Sequence, residues 1–197
     1  MQVSDPNEMV AALKPVAEAL SLLRIPHYVG GSVASSYHGA VRSTMDIDIV
    51  CQMREEQIGP FVSQFNDAFY VSEPAIRQAI RRRSCFNLIH FETSFKVDVF
   101  ISRGRPFDQI CMDRAVAAKL GGDTGFVIVP MATVEDSIIS KLEWYRLTDE
   151  TSERQWDDVS RLVRLTGSAL DRGYLAQSAQ MVGVSDLLLR LLDQASR

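Results

Sequence analysis

Apolar and polar residues alternate in two short segments of the chain. In Met45–Cys51 the polar positions are Asp46 and Asp48, with isoleucines between and after them. In Phe95–Ile101 valines flank Asp98 on both sides. A side-chain period of two is typical of a strand, because successive side chains point to opposite faces of a sheet. We therefore predict two strands that each present carboxylates on one face and branched apolar residues on the other.

Apolar residues recur at helical spacing in most of the remaining chain. The predicted helices cover Asp5–Leu23, Ser32–Tyr37, Arg54–Phe69 and Pro74–Arg82, and helices fill the chain after Pro130, ending with Tyr174–Met181 and Ser185–Ala195. The further predicted strands are His27–Val29, Cys85–Phe91 as the hairpin partner of Phe95–Ile101, and less regular segments around Arg114–Leu120 and Phe126–Val129. The strands thus precede residue 130 and the final third is helical, which indicates the α+β class.

A glycine turn lies between the first short strand and the helix of small residues. Gly30 and Gly31 allow a backbone turn that bulkier residues cannot adopt, and Ser32 begins the helix. Backbone N–H groups at the start of a helix attract anions, and the Ser32 hydroxyl would add one more donor. This segment therefore predicts a phosphate-binding turn, although a Gly-Gly-Ser sequence alone is most often a simple turn.

Three aspartates on neighbouring strands would repel one another unless a cation lies among them. Mg²⁺ suits such a cluster because hard cations prefer carboxylate oxygens and also bind nucleotide phosphates. A pair of such ions activates an attacking hydroxyl and neutralises a departing phosphate group. Asp46, Asp48 and Asp98 are therefore candidate metal ligands, with Mg²⁺ or Mn²⁺ as the candidate cofactor.

Composition and charge exclude few classes of function. The 197 residues carry a formal net charge of -4, which gives no general attraction to nucleic acid. A local basic cluster at Arg81–Arg83, with Arg77 one turn earlier, is either a patch for an anionic partner or a solvated helix end. No apolar run approaches the length of a membrane span, so we expect a soluble, cytoplasmic protein that does not enter a membrane. The three cysteines are widely spaced and form no C-x-x-C pair, and we expect them to be buried small hydrophobes.

The order of these motifs resembles the polymerase-beta-like nucleotidyltransferase superfamily. Its signature is a Gly-Ser turn, a short helix and Asp-x-Asp on a strand, and here Gly31-Ser32 is followed after thirteen residues by Asp46-Ile47-Asp48. The segments GGSVASSYHG, R-x-T-x-D-I-D and EDSIISKLEWYR are similar to AbiEii-type nucleotidyltransferases, which are toxins of toxin–antitoxin systems. The resemblance implies a small mixed nucleotidyltransferase sheet flanked by helices in a catalytic domain at 1–130, and a C-terminal helical bundle at 131–197 that completes the cleft.

The resemblance also implies functions for individual residues. Asp46, Asp48 and Asp98 would be the catalytic carboxylates and metal ligands, and Asp98 would also be the base for the incoming hydroxyl. Gly30, Gly31 and Ser32 would hold the nucleotide phosphates, and Lys141 would reach the triphosphate from the helical region. A lysine at that position is otherwise a surface residue whose stem covers apolar groups. Arg42 would either contact phosphate or brace the turn before the catalytic strand.

The expected reaction moves an NMP unit from an NTP to an acceptor hydroxyl and releases pyrophosphate. AbiEii-type relatives imply RNA, such as the tRNA 3′ end, or a protein hydroxyl as acceptor, and a cognate antitoxin as partner. Other branches of the superfamily modify small molecules of the antibiotic type. A non-catalytic nucleotide-binding protein of the same fold is a further alternative, but three retained, mutually repelling carboxylates argue against it.

Overall fold

The structure is a computed structural model that describes residues 6–41, 43–65, 67–122 and 125–195. Within these residues the strands are β1 (His27–Val29), β2 (Asp46–Cys51), β3 (Phe69–Tyr70), β4 (Cys85–His90), β5 (Lys96–Ile101), β6 (Val116–Gly122) and β7 (Gly125–Met131). The helices are α1 (Pro6–Leu22), α2 (Gly31–Tyr37), α3 (Ile58–Val62), α4 (Glu73–Arg82), α5 (Pro106–Arg114), α6 (Val134–Leu147), α7 (Glu153–Thr166), α8 (Arg172–Val182) and α9 (Ser185–Ala195). Single 3₁₀ turns lie at Glu55–Gln57 and Gly167–Ala169.

One mixed sheet with the strand order β3-β4-β5-β2-β1-β7-β6 contains all seven of these strands. The central strand β2 pairs in parallel with β5 and antiparallel with β1. The register between β2 and β5 places Asp48 opposite Asp98 and Asp46 opposite Lys96. Because residues that pair across a sheet share a face, the predicted carboxylate clustering follows directly from this parallel pairing.

The alternation of the two carboxylate strands separates the core from the polar face. Ile47 and Ile49 of β2 and Val97 and Val99 of β5 have no exposed surface. Their fully buried side chains provide several kcal/mol of hydrophobic stabilisation, at roughly 1.5–3 kcal/mol for each branched residue. This burial fixes the register, since a slip by one residue would expose the apolar set and bury the carboxylates.

The C-terminal helices pack around α6. Helix α6 contacts α2, α7, α8 and α9, and α9 in turn contacts α7 and α8. Thr133 caps α6 by accepting a hydrogen bond from the N–H of Asp136 at 3.2 Å. The α+β fold with a mixed sheet and C-terminal helices is therefore confirmed. A domain division at residue 130 stays a prediction, and β7 continues to Met131.

The helix predicted over Arg54–Phe69 is wrong. Among the residues that the structure describes in this range, only a 3₁₀ turn and the five-residue α3 are helical, and Phe69 belongs to β3. Pro60 lies in the first turn of α3, where its missing N–H is tolerated, and α3 ends at Val62. Beyond it the aromatic rings pack edge to face. The ring centroids of Phe61 and Phe65 are 4.9 Å apart, and those of Phe65 and Phe69 are 5.3 Å apart. Helix α5 was not predicted.

In the described part of the chain, no helix combines the length and apolar character that crossing a membrane requires.

Candidate active site

Strands β2 and β5 bring two carboxylates and one ammonium group into direct contact. Lys96 Nζ lies 2.9 Å from Asp98 Oδ2 and 3.3 Å from Asp46 Oδ1. Asp98 is the more enclosed carboxylate, with 15% of its side chain exposed against 48% for Asp46. The hydrogen bond to Asp98, in addition to the charge of both carboxylates, raises the pKa of Lys96, so this side chain is a cation. Lys96 therefore balances part of the negative charge of Asp98 and Asp46.

Asp48 lies next to the glycine turn. Gly30 donates its N–H to the carbonyl of Asp48 at 2.9 Å, and the N–H of Ser32 bonds the Asp48 carboxylate. A Cβ on Gly31 would come within 1.7 Å of Asp48 Oδ2, and the φ of Gly31 is +57°. Only glycine fits here, because it tolerates this left-handed conformation and leaves room for the carboxylate.

Burial raises the pKa of Asp48 above its ordinary value, and the nearby charges of Asp98 and Asp46 raise it further. The charge of Lys141 acts in the opposite direction. A carboxylate that is desolvated among other carboxylates gains most from an added cation.

Lys141 is held by an ion pair inside the helical region. Its ammonium lies 2.8 Å from Asp158 Oδ2 and 3.4 Å from the side-chain oxygen of Gln155, both on α7. Both charged side chains are buried, with 7% and 6% of their surface exposed. Lys141 is therefore not a surface lysine. Sequence reasoning missed Asp158, because its partner lies seventeen positions away on another helix.

A single cavity of about 750 Å³ contains most of the predicted site. Its lining includes the following predicted site residues: Gly30, Gly31, Ser32, Asp46, Asp48, Asp98 and Lys141. The cavity thus brings the glycine turn, the carboxylates and the buried lysine together. Arg42, the remaining predicted site residue, lies outside the described residues.

The other end of the cavity is aromatic and basic. Phe100 of β5 and Trp144 of α6 line it, with their rings 6.1 Å apart in an edge-to-face arrangement. Arg83 ends helix α4 in a left-handed conformation with φ of +50°, and its guanidinium donates to the carbonyl of Ser102 at 3.0 Å. Sequence patterns could not place Arg83 here, because its direction depends on that one backbone angle.

The acidic residues at this end of the cavity are already paired. Arg105 donates to Asp108 at 2.8 Å and to Glu143 at 2.5 Å. Arg83 and Arg154 also line the cavity, and in the described ranges no ion pair joins either of them to a carboxylate. Away from the three aspartates of the sheet, the described lining is therefore neutral or positive.

The structure also tests the predictions for the cysteines and for the basic cluster. Cys85 is exposed and lines the cavity, so the prediction that all three cysteines are buried is wrong for this residue. In the basic cluster, Arg77 pairs with Glu55 and Glu73, and Arg81 pairs with Glu55. These contacts favour a solvated helix surface for this part of the cluster, whereas Arg83 turns towards the cavity.

The carboxylate cluster fits a metal ion only in part. Among the described residues, no three His, Cys, Asp or Glu side chains are arranged to hold one ion by themselves. Mg²⁺ is commonly bound by one or two carboxylates together with substrate phosphates and water. The Lys96 ammonium shows that oxygens of Asp46 and Asp98 do accept a shared cation. The cluster therefore fits an ion that receives its other ligands from a bound nucleotide.

Comparison with known proteins shows the fold. No protein-family model matches the chain, and no curated protein matches it. The crystal structure of an antigenic nucleotidyltransferase-like protein from Paracoccidioides brasiliensis is similar with a TM-score of 0.55 and 16% identity, covering 97% of this chain and 94% of that chain. The solution structure of the antibiotic-resistance factor ANT(2'')-Ia has a TM-score of 0.45 and 15% identity, covering 95% and 94%. The first similarity shows that this chain has a nucleotidyltransferase-like fold.

Proposed function

We propose that the protein is a metal-dependent nucleotidyltransferase, which moves an NMP unit from an NTP to an acceptor hydroxyl and releases pyrophosphate. The observation that carries this proposal is the shared cavity, which places a glycine turn, three carboxylates and a buried lysine around one space. Each of these features alone is common. Their convergence in one cavity, lined by residues of the central strands and of α6, supports nucleotidyl transfer.

The residues divide the chemistry among them. The backbone of Gly30 and Gly31, the Ser32 hydroxyl and the Lys141 ammonium would bind the triphosphate. Mg²⁺ or Mn²⁺, held by Asp46, Asp48 and Asp98 with the phosphates, would neutralise the charge that develops on the leaving pyrophosphate and lower the pKa of the acceptor hydroxyl. Asp158 would hold the Lys141 ammonium fixed in direction.

The transfer step would break one bond and form one. The acceptor oxygen attacks the α-phosphorus while the bond from that phosphorus to the bridging oxygen of the β-phosphate breaks. Pyrophosphate leaves with the bonding electrons, and the hydroxyl proton passes to Asp98. Asp98 suits this function because it lies two residues before Phe100 on the same face of β5, and both line the cavity.

The lining supports an anionic acceptor such as RNA. Phe100 and Trp144 offer aromatic surface for a base, and Arg83 and Arg154 offer positive charge for phosphates. Such a combination is typical of single-stranded nucleic-acid sites. A polycationic small molecule would find no unpaired carboxylate among the described lining residues except the metal-binding aspartates. We therefore propose RNA, in the manner of the tRNA 3′ end, ahead of a protein hydroxyl.

An assay with labelled nucleotide tests the acceptor class. The protein is incubated with each α-³²P-labelled NTP, Mg²⁺ and a cell extract, and the labelled product is digested with nuclease or protease. Label that ribonuclease releases supports RNA, and label that protease releases supports a protein acceptor. Label in a small product that neither enzyme changes would overturn the RNA assignment.

The toxin-like role and a cognate antitoxin belong to the same proposal, which predicts that expression of the active protein slows bacterial growth.

A further inference from the structure

The ammonium of Lys96 occupies the space between two of the carboxylates that would hold a metal ion. Lys96 lies opposite Asp46 in the parallel register and two residues before Asp98 on the same face of β5. Its Nζ therefore reaches Asp98 Oδ2 at 2.9 Å and Asp46 Oδ1 at 3.3 Å. A divalent ion that bound these same two oxygens would have to lie where the ammonium now lies.

The ammonium and such an ion exclude each other for two reasons. Mg²⁺ lies about 2.1 Å from its oxygen ligands, so an ion shared by the two carboxylates would overlap Nζ. Like charges at such separations also repel strongly in a partly desolvated site. Asp46 Oδ1 and Asp98 Oδ2 can thus share only one cation at a time.

The two lysines of the site differ in their freedom to move. The side chain of Lys96 is 38% exposed and ends a flexible stem on the sheet face. Lys141 is buried against Asp158, with 7% of its side chain exposed. Lys96 can therefore leave its carboxylates for solvent at small cost, whereas Lys141 is fixed.

We propose that Lys96 is a positioning residue that acts as an internal counter-cation, holding Asp46 and Asp98 together until a divalent ion displaces it. This inference rests on the proposed function, because it takes the aspartates as metal ligands. Because the ion must first displace the Lys96 ammonium, the protein binds metal less tightly than it would without this lysine.

Mn²⁺ binding to the protein without acceptor tests the competition directly. Free Mn²⁺ is measured by electron paramagnetic resonance for the wild type, Lys96→Met, Lys96→Arg and Lys119→Met. Lys119 supplies a matched loss of charge on β6, where its ammonium lies over the ring of Phe126, away from the cavity. The expected result is about tenfold tighter binding by Lys96→Met, as the loss of one or two partly exposed ion pairs predicts. Lys96→Arg keeps a cation between the carboxylates and should bind no more tightly than the wild type.

Thermal unfolding provides a second readout that does not depend on activity. In EDTA, Lys96→Met should melt below the wild type, because Asp46 and Asp98 have lost their shared cation. Saturating Mn²⁺ should remove that difference, since the ion replaces the ammonium. A purely structural contact would give the same difference with and without metal.

The outcomes separate this inference from the proposed function. Equal or weaker Mn²⁺ binding by Lys96→Met, with binding by the wild type intact, would overturn the competition and leave the metal site standing. Equal tightening in Lys119→Met would show a general charge effect and would also overturn it. If neither the wild type nor Lys96→Met bound Mn²⁺, with or without NTP, the metal site itself would fail and this inference with it.

Discussion

Replacing Gly31 with alanine tests whether Asp48 must lie where the structure places it. The added Cβ would lie 1.7 Å from Asp48 Oδ2 and 2.8 Å from Asp48 Cβ. Rotation of the carboxylate cannot relieve the second contact, so the backbone of α2 or β2 must also shift. To reach a contact of 3.4 Å the oxygen has to retreat by about 1.7 Å, and misplacement by about 1 Å can cost on the order of 100-fold in rate.

The same substitution carries a backbone cost that has to be separated from this displacement. A non-glycine residue in the left-handed region costs roughly 1–2 kcal/mol, which lowers the melting temperature of a chain of this size by about 2–8 °C. Gly183 provides a matched control, because its φ is +75° and a Cβ there would meet no atom within 4 Å. Gly183→Ala should therefore show the backbone cost alone.

We expect Gly31→Ala to fold, to melt several degrees below the wild type, and to lose at least about 100-fold in label transfer from α-³²P NTP. Gly183→Ala should show the smaller loss of stability that the backbone cost alone predicts, and should keep its activity. If Gly31→Ala transferred label as well as Gly183→Ala does, the position of Asp48 beside the glycine turn would not matter for the reaction, and our interpretation of the turn would be wrong.

Two further predictions concern the buried pair and the thiols. Asp158→Asn leaves the Lys141 ammonium without its buried carboxylate and should cost about 3–5 kcal/mol in unfolding by urea. Asp186→Asn removes an exposed partner of Arg146 and should cost far less, because solvent screens an exposed ion pair. Equal losses would show that the buried pair adds no special stability. An aromatic disulfide reagent at pH 8 should modify the exposed Cys85 in the folded protein, and should do so more slowly with NTP bound. Cys51 should be protected, because burial encloses its thiol and raises its pKa to about 12. Rapid modification of Cys51 would contradict the packing of β2.

The parts of the site that the sequence predicted are those that local chemistry determines. Alternation in two short segments predicted β2 and β5, because burial of their branched residues allows only one orientation of each strand. The glycine turn was predictable for a similar reason, since the left-handed backbone at Gly31 leaves no choice of residue.

The other parts depend on contacts between distant segments. The parallel pairing that places Asp48 opposite Asp98 joins strands that are fifty residues apart. The sequence predicted that these strands are neighbours, but not their parallel register. The apolar spacing of Ile58, Val62, Phe65 and Phe69 predicted one helix. The strand pairing of Phe69 with His90 prevailed over helical propensity. Asp158 meets Lys141 only because α7 packs on α6.

The most direct test of nucleotidyl transfer measures two products in one reaction. The wild type and Asp48→Asn are incubated with α-³²P NTP, Mg²⁺ and the extracted acceptor, and label in the acceptor is counted against pyrophosphate released. Asp48→Asn keeps the size of the side chain, and circular dichroism with thermal unfolding would confirm that it folds. The account predicts one pyrophosphate for each labelled nucleotide with the wild type, and a loss of both products with Asp48→Asn. Undiminished transfer by the folded Asp48→Asn variant would contradict it.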